Sequence, residues 1–345
     1  ETRTTRTFRL VPDTASGTET LPAFRAGQYL SFKFDIDGSR VTRAYSISSS
    51  PREALEEGFI EITVKKKPGG FVTPWIWDNW TEGAAVRSSG PAGFFYYDEL
   101  RDTREIVGLA GGCGFTPFRS MIKDFIDNDA DVKMTLLFGI AKPSEVIFKK
   151  ELEQLQSEHP DRFAVHYVCS EPTKTWKGHT GFLTRNLVKK LAGGAKGKTF
   201  FICGPPAMYD FLDKELKSFR IPRKRIRREV FGEIPDVTAY KDFPKELAGE
   251  IFNAKVHIGG ETHDVPAAAT ETVLVAMERA KLAPPSQCRS GECGFCDSIL
   301  VTGDVFVSPE NDGRRLASLE YNHFHPCSSY PLSDIEIQVM KDVRD

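Results

Sequence analysis

Cys288-Arg289-Ser290-Gly291-Glu292-Cys293-Gly294-Phe295-Cys296 carries three cysteines spaced four and then two residues apart, and a fourth, Cys327, follows further on. This is the C-x4-C-x2-C…C spacing of a plant-type 2Fe-2S site, in which four thiolates hold two irons. A rubredoxin-like or zinc site more often shows two C-x2-C pairs. A disulfide framework is out of place in a chain of 345 residues. Zinc and unliganded core cysteine remain the alternatives at this point. Ser290, Gly291 and Gly294 are small enough to let the loop wrap and aim backbone N–H groups at sulfur, and Phe295 shields one side. His323 and His325 raise a Rieske-type site, but that class replaces two cysteines by histidines and four cysteines already complete this set.

Working outward, the length predicts two or three domains. Lys plus Arg total 46 against 48 Asp plus Glu, a formal charge of −2, which offers no global attraction to nucleic acid or an anionic membrane. The basic run Arg223-Lys224-Arg225 lacks interleaved stacking aromatics and reads as a solvated face. No apolar run reaches membrane-spanning length, and Glu1-Thr2-Arg3-Thr4-Thr5 is not a signal peptide. Four of the seven cysteines sit at cluster spacing, and Cys113, Cys169 and Cys203 are scattered, which fits a reducing compartment and predicts a cytoplasmic protein. The first residue is Glu rather than Met, which predicts a trimmed N-terminus.

From Phe8 to about Phe95, short runs of alternating polarity are broken by Gly and Pro: Phe8–Val11, Tyr29–Phe34 and Ile60–Val64. That texture predicts a small antiparallel barrel or sandwich. Within it stand Arg43-Ala44-Tyr45-Ser46 and, later, Gly69-Gly70-Phe71-Val72-Thr73. A flavin needs a flat, partly apolar wall, a hydroxyl near its reactive N5, and positive charge with free N–H groups for its phosphates. Tyr45, Ser46, and Arg43 with Gly70, Phe71, Val72 and Thr73 can supply these in turn. The plainer alternative is a barrel strand with two alternating faces. R-x-Y-S followed by a Gly-rich V-T turn resembles the flavin-binding signature of the ferredoxin–NADP reductase superfamily. Phe24–Tyr29 and Gly90–Phe94 resemble that family's entry and exit strands. The resemblance adds Ala44, Val64 and Lys65 to the flavin contacts.

Beyond Tyr97 the texture changes to buried strands and amphipathic helices. Ile106–Ala110 runs into Gly111-Gly112-Cys113-Gly114-Phe115-Thr116-Pro117 and a helix, the strand–Gly-loop–helix unit in which glycines let the backbone approach a pyrophosphate. Strands Met134–Gly139 and Phe163–Val168 follow, then Thr199–Ile202 leading into Cys203-Gly204-Pro205-Pro206-Ala207-Met208. G-G-x-G-x-T-P and C-G-P-x-x-M resemble the two nicotinamide markers of the same superfamily, which implies binding by Gly111, Gly112, Gly114, Thr116, Cys203, Gly204, Pro205 and Met208. It puts Cys203 near the nicotinamide ring, against the alternative of a buried strand-end thiol. Gly178–Leu183 resembles the family's G-x-x-G loop, in which His179 reads as a loop histidine. Arg227–Gly232 resembles its terminal E-x-F-G, which implies that Phe231 packs against the flavin.

Residues 249–345 read as hairpin, helix, cluster loop and late strand, the β-grasp order of plant-type ferredoxins. The expected organisation is therefore a flavin-binding antiparallel β-barrel over 1–100, an NAD(P)H-binding α/β domain with a parallel sheet over 101–235, a linker over 236–248, and the ferredoxin domain over 249–345. The resemblance to oxygenase reductase components implies electron flow from NADH through FAD and a 2Fe-2S cluster to a partner protein docking near the cluster. That partner is an oxygenase, a demethylase or another reductase. The expected metal ligands are Cys288, Cys293, Cys296 and Cys327, and the expected catalytic residues are Ser46, Thr116 and Cys203. FAD is favoured by the Arg43 motif with Val72-Thr73, although reductases of the phthalate dioxygenase type, with this domain order, carry FMN. NADH is favoured because Gly139–Glu145 lacks the Ser-Arg pair of the resembling NADPH enzymes, although Lys142 could serve a 2′-phosphate. A self-contained diaphorase or NADH oxidase, and a non-enzymatic iron–sulfur sensor, are the alternatives; a sensor would not need both nicotinamide motifs.

Overall fold

The computed structural model describes residues 1–234 and 236–340. Pro235 and residues 341–345, where the second and third expected domains end, lie outside the described residues.

β1 (Thr5–Leu10), β2 (Tyr29–Ile36), β3 (Ser39–Ser46) and β4 (Ile60–Lys65) precede helix α1 (Val72–Asn79) and β5 (Arg87–Ala92). Leu30, Phe32, Phe34 and Ile36 alternate inward along β2, the period that a pleated strand imposes. The strands expected of the flavin barrel are present as two short sheets. β1 and β4 form an antiparallel ladder, and β3, β2 and β5 associate in that order. An isolated bridge joins Ile47 to Ile62.

The middle of the chain gives β6 (Glu105–Gly111), α2 (Thr116–Asp127), β7 (Lys133–Ile140), α3 (Lys149–Glu158), β8 (Phe163–Cys169), β9 (His179–Thr180), α4 (Arg185–Ala192), β10 (Thr199–Cys203), α5 (Pro206–Leu216) and β11 (Ile226–Glu229). These strands make a parallel sheet ordered β11-β10-β6-β7-β8-β9. A parallel sheet covered by helices on both faces buries every residue of its inner strands. Hence Val107, Leu109, Phe200 and Ile202 pack with Val188, Leu212 and Leu216 in one core. His179 falls in the edge strand, where its backbone pairs with Val168.

One polar staple runs through this part. On α2, Arg119 Nη1 donates to the Ser48 carbonyl at 2.9 Å and to Glu61 Oε2 at 2.8 Å, while its Nε donates to Glu151 at 3.0 Å. Ser120 Oγ donates to the Ser49 carbonyl at 2.6 Å, and Lys123 pairs with Glu53. Three residues on one helix thus bind the segment between β3 and β4.

β12 (Ile251–Ile258), β13 (Glu261–Ala268), α6 (Val273–Arg279), β14 (Ser298–Thr302), β15 (Val305–Val307), α7 (Leu316–Glu320), β16 (His323–Phe324), β17 (Ser329–Pro331) and β18 (Ile335–Val339) complete the described chain. β13-β12-β18-β14-β16 form a five-stranded sheet, and β15 pairs with β17. Val273, Leu274 and Met277 of α6 pack with Val256, Ile335 and Ile337 in a core that also holds Cys296 and Cys327. Two apolar side chains of the stretch read as a linker are anchored in a core. Val237 and Phe243 are buried with Phe306 and Tyr330, and Phe243 meets Phe306 edge-on at 5.4 Å. Two prolines and scattered charges hid these anchors, which show no helical or strand period.

Contacts divide the chain into two units: residues 1–30, 45–85 and 90–230, and residues 31–44, 86–89 and 231 onward. Among the described residues no helix is long and apolar enough to cross a membrane.

Candidate functional site

The nicotinamide markers leave the sheet at the carboxyl ends of two adjacent parallel strands, Cys203 of β10 standing beside Ala110 of β6. Ligands of open α/β sheets bind at such ends. The glycines are there because the two loops touch. A β-carbon on Gly114 would lie 2.4 Å from the Cys203 carbonyl oxygen, and one on Gly111 would lie 2.6 Å from Met208 Sδ and 2.8 Å from Pro205 Cδ. Gly112 has φ +53°, a left-handed conformation that glycine takes freely. Thr116 is buried at the start of α2, and its Oγ1 donates to the Cys113 carbonyl at 3.1 Å.

Two thiols face this junction. Cys113 Sγ donates to the Thr63 carbonyl at 3.5 Å, and burial pushes its thiol up to about 11. Burial, then the nearby charge of Glu229 and Cys113, pushes the Cys203 thiol well above its ordinary value. Cys203 is therefore a neutral, compact wall at pH 7 rather than a nucleophile. Sequence reading passed over Tyr209, one residue after Met208. Its Oη accepts from the Gly204 N–H at 3.1 Å and donates to the Glu229 carbonyl, locking the Cys203–Pro206 turn to β11.

Among the flavin candidates, Arg43, Ala44 and Tyr45 are half-buried and Ser46 buried along the last half of β3. Val64 is buried near the end of β4, and Lys65 pairs with Glu145 at 3.3 Å. Gly70 closes a tight turn whose Lys67 N–H donates to Thr73 Oγ1 at 2.9 Å. Phe71 is exposed and Val72 begins α1, so the turn presents a helix N-terminus suited to phosphate. Arg43 lies 4.0 Å from Glu278 of α6 and donates to the Thr42 carbonyl at 2.8 Å. Phe231 is half-buried.

The cluster loop and Cys327 bring four sulfurs together. Cys288, Cys296 and Cys327 are buried and Cys293 is exposed. The N–H groups of Ser290 and Cys293 both reach Cys288 Sγ at 3.4 Å, and Phe295 N–H reaches Cys293 Sγ at 3.4 Å. Hydrogen bonds from the Cys293 and Cys327 thiols hold Cys288 far below its usual value, while Cys293 and Cys327 are held high. A metal would remove the thiol protons on binding. Gly291, at φ +81°, has no room for a side chain, since a β-carbon would fall 2.1 Å from the Asn311 carbonyl. The Ser290 hydroxyl is buried without a well-formed partner, yet it is close enough to help lower Cys288. Four thiols, inward N–H donors and this spare hydroxyl fit a sulfur-rich centre. Among the described residues no three His, Cys, Asp or Glu side chains are spaced for a single metal ion; the thiols adjoin pairwise. His323 pairs with Asp297 at 2.6 Å and His325 Nδ1 meets the Gly291 carbonyl at 2.7 Å, so both rings are held by oxygen. Arg289 and Glu278 form a buried ion pair, joined by the half-buried Glu233, that no spacing rule had singled out.

Comparison with known proteins agrees with this arrangement. Three family models match along the chain: an oxidoreductase FAD-binding domain over residues 2–97, an oxidoreductase NAD-binding domain over 109–214, and a 2Fe-2S iron-sulfur cluster binding domain over 256–332. The glycine betaine monooxygenase reductase subunit of Pseudomonas aeruginosa is 30% identical over 325 residues, covering 91% of this chain and 87% of the relative. The ferredoxin reductase component of 3-ketosteroid-9-alpha-monooxygenase from Rhodococcus rhodochrous is 27% identical, over 90% of this chain and 86% of the relative. The crystal structure of phthalate dioxygenase reductase matches the fold with a TM-score of 0.67 at 22% identity, covering 99% of this chain and 94% of that one.

Proposed function

The chain belongs to the family of FAD- and NAD-binding oxidoreductases that carry a 2Fe-2S domain, and on that premise we propose that it is the reductase of an oxygenase system. It is an NAD(P)H oxidoreductase that sends electrons through flavin and iron–sulfur to a protein acceptor. A flavin held by these residues would supply the link between a two-electron hydride donor and a one-electron 2Fe-2S acceptor.

The protein's own part is positioning. Gly111, Gly114 and Gly204 let the two nicotinamide loops close on each other, and Tyr209 holds that closure. Neutral Cys203, with Thr116, walls the nicotinamide end without adding charge where a hydride must pass. Ser46 would offer its hydroxyl to the flavin, Arg43 and the turn Gly70 to Thr73 would offer charge and N–H groups to its phosphates, and Phe231 would offer an apolar face to its ring. NADH and FAD are the preferred forms. Residues 1–100, 101–235 and 249–345 act as the flavin, nicotinamide and cluster domains, with 236–248 between the last two. Seven unbridged cysteines suit the cytoplasm.

The observation that carries the reading is the exposure of Cys293 while its three companions are buried. Electron transfer favours the shortest path, so the acceptor docks over Cys293 and Phe295. Anaerobic NADH titration followed by absorbance tests it: flavin and cluster bleach in succession. Cys293→Ser is expected to spare flavin bleaching and abolish cytochrome c reduction. Loss of both in a protein that still holds flavin refutes the order of transfer.

A further inference from the structure

Arg289 follows the first cluster cysteine, yet its side chain turns away from sulfur. The guanidinium is 2% exposed and lies between two carboxylates, donating to Glu278 of α6 through Nη1 and to Glu233 through Nη2. Its backbone is at φ +59°, in the left-handed region that glycine takes freely and a β-carbon resists. The loop uses glycine at its other two left-handed positions, Gly291 and Gly294. An arginine at the third therefore has to be held there, and the ion pairs supply the hold.

What this conformation achieves lies one residue on. Reversal at Arg289 turns the Ser290 N–H back onto Cys288 Sγ at 3.4 Å, beside the Cys293 N–H at the same distance. N–H dipoles aimed at a ligand sulfur favour the more negative, reduced centre. A buried ion pair such as Arg289–Glu278 is costly to keep if its purpose is stability alone, because apolar residues would serve as well.

We propose that Glu278 and Glu233 are positioning residues that clamp Arg289 in its left-handed conformation, keep the Ser290 and Cys293 N–H groups on Cys288, and so raise the reduction potential of the 2Fe-2S centre. The proposal rests on the iron–sulfur reading of the loop. Iron and acid-labile sulfide analysis of the wild-type holoprotein tests that reading separately.

Glu278→Gln separates the clamp from simple electrostatics, because the two predict opposite signs. Removing a negative charge near the centre, by itself, makes reduction easier. Releasing the clamp makes it harder. Anaerobic redox titration of the purified holoprotein, following the electron paramagnetic resonance signal of the reduced cluster, is expected to show the reduction equilibrium falling about tenfold. That is about 59 mV for a one-electron couple. A rise or no change overturns the proposal. Glu278→Gln combined with Arg289→Gly leaves the net charge as in the wild type and lets position 289 take φ +59° unaided. It is expected to regain the wild-type potential, and also to hold its cluster should the single variant lose it. A double variant that stays low in potential, or that loses its cluster, overturns the clamp.

Discussion

Gly114→Ala places a β-carbon 2.4 Å from the Cys203 carbonyl oxygen, 2.6 Å from its carbon and 2.7 Å from Gly204 Cα. All three are backbone atoms, so no side chain can swing aside. Ordinary contact begins at 3.4 Å, and the loop after β6 must therefore retreat from the loop after β10 by about 1 Å. Position 114 is not among the left-handed glycines, so alanine adds no backbone strain and the effect is purely steric. Overpacking of this kind costs about 1–3 kcal/mol of stability. Catalysis is more sensitive, since a misplacement of about 1 Å between reacting groups costs on the order of 100-fold. In anaerobic stopped-flow mixing at saturating NADH, flavin bleaching is expected to slow by about that factor. Gly249→Ala is the control, because a β-carbon there meets nothing within 4 Å and the backbone is not left-handed. If Gly114→Ala bleaches within about twofold of the wild type, with NADH affinity also retained, the closed-loop account of the site is wrong.

Two further outcomes follow from buried charge. Arg119→Met leaves Glu61 with only the half-exposed Arg9 and should cost about 2–4 kcal/mol by thermal or urea unfolding. Glu61→Gln in the same protein should recover part of that loss, and a coupling of zero between the two sites in a double-mutant cycle refutes the staple. Burial pushes the Glu61 carboxyl up, but hydrogen bonding and charge from Arg119, then Arg9, bring it below its usual value. Its contribution is thus present above the unfolded pKa of about 4.3 and lost as pH falls through the folded value, a slope that Arg119→Met should weaken. Asp124 has the opposite sign: burial, then the charge of Asp127, pushes it up to about 6. Its contribution is present below the unfolded pKa of about 3.9 and lost as pH rises through about 6. Asp124→Asn should therefore stabilise the protein at pH 7 by about 1–2 kcal/mol, allowing for partial solvent screening, and bring no gain at pH 4. Equal gains at both pH values would count against the shift.

Features legible in the sequence were those whose partners are near in the chain. The Cys288–Cys296 spacing encodes a loop, the glycines of Gly111–Gly114 encode a backbone without side chains, and the apolar runs at Ile106–Ala110 and Thr199–Ile202 encode strands buried on both faces. Each of these is a local steric or burial constraint that a few consecutive residues state in full. From them came the flavin, nicotinamide and cluster modules, in their order.

Tertiary structure alone decided which of these stretches meet. The sheet order β11-β10-β6-β7 sets Cys203 beside Ala110, so that Gly114 must be bare of a side chain for a reason that lies far along the chain. The same holds for Arg119 against Ser48 and Glu61, and for Arg289 between Glu278 and Glu233. Val237 and Phe243 looked like linker residues because their partners, Phe306 and Tyr330, arrive from elsewhere. Arg43 shows the limit most plainly: its motif points to a phosphate, and only the fold reveals a carboxylate of α6 at 4.0 Å. Spacing along a chain specifies backbone shape, whereas a charge or a contact has meaning only once the chain has folded and brought its partner within a few ångströms.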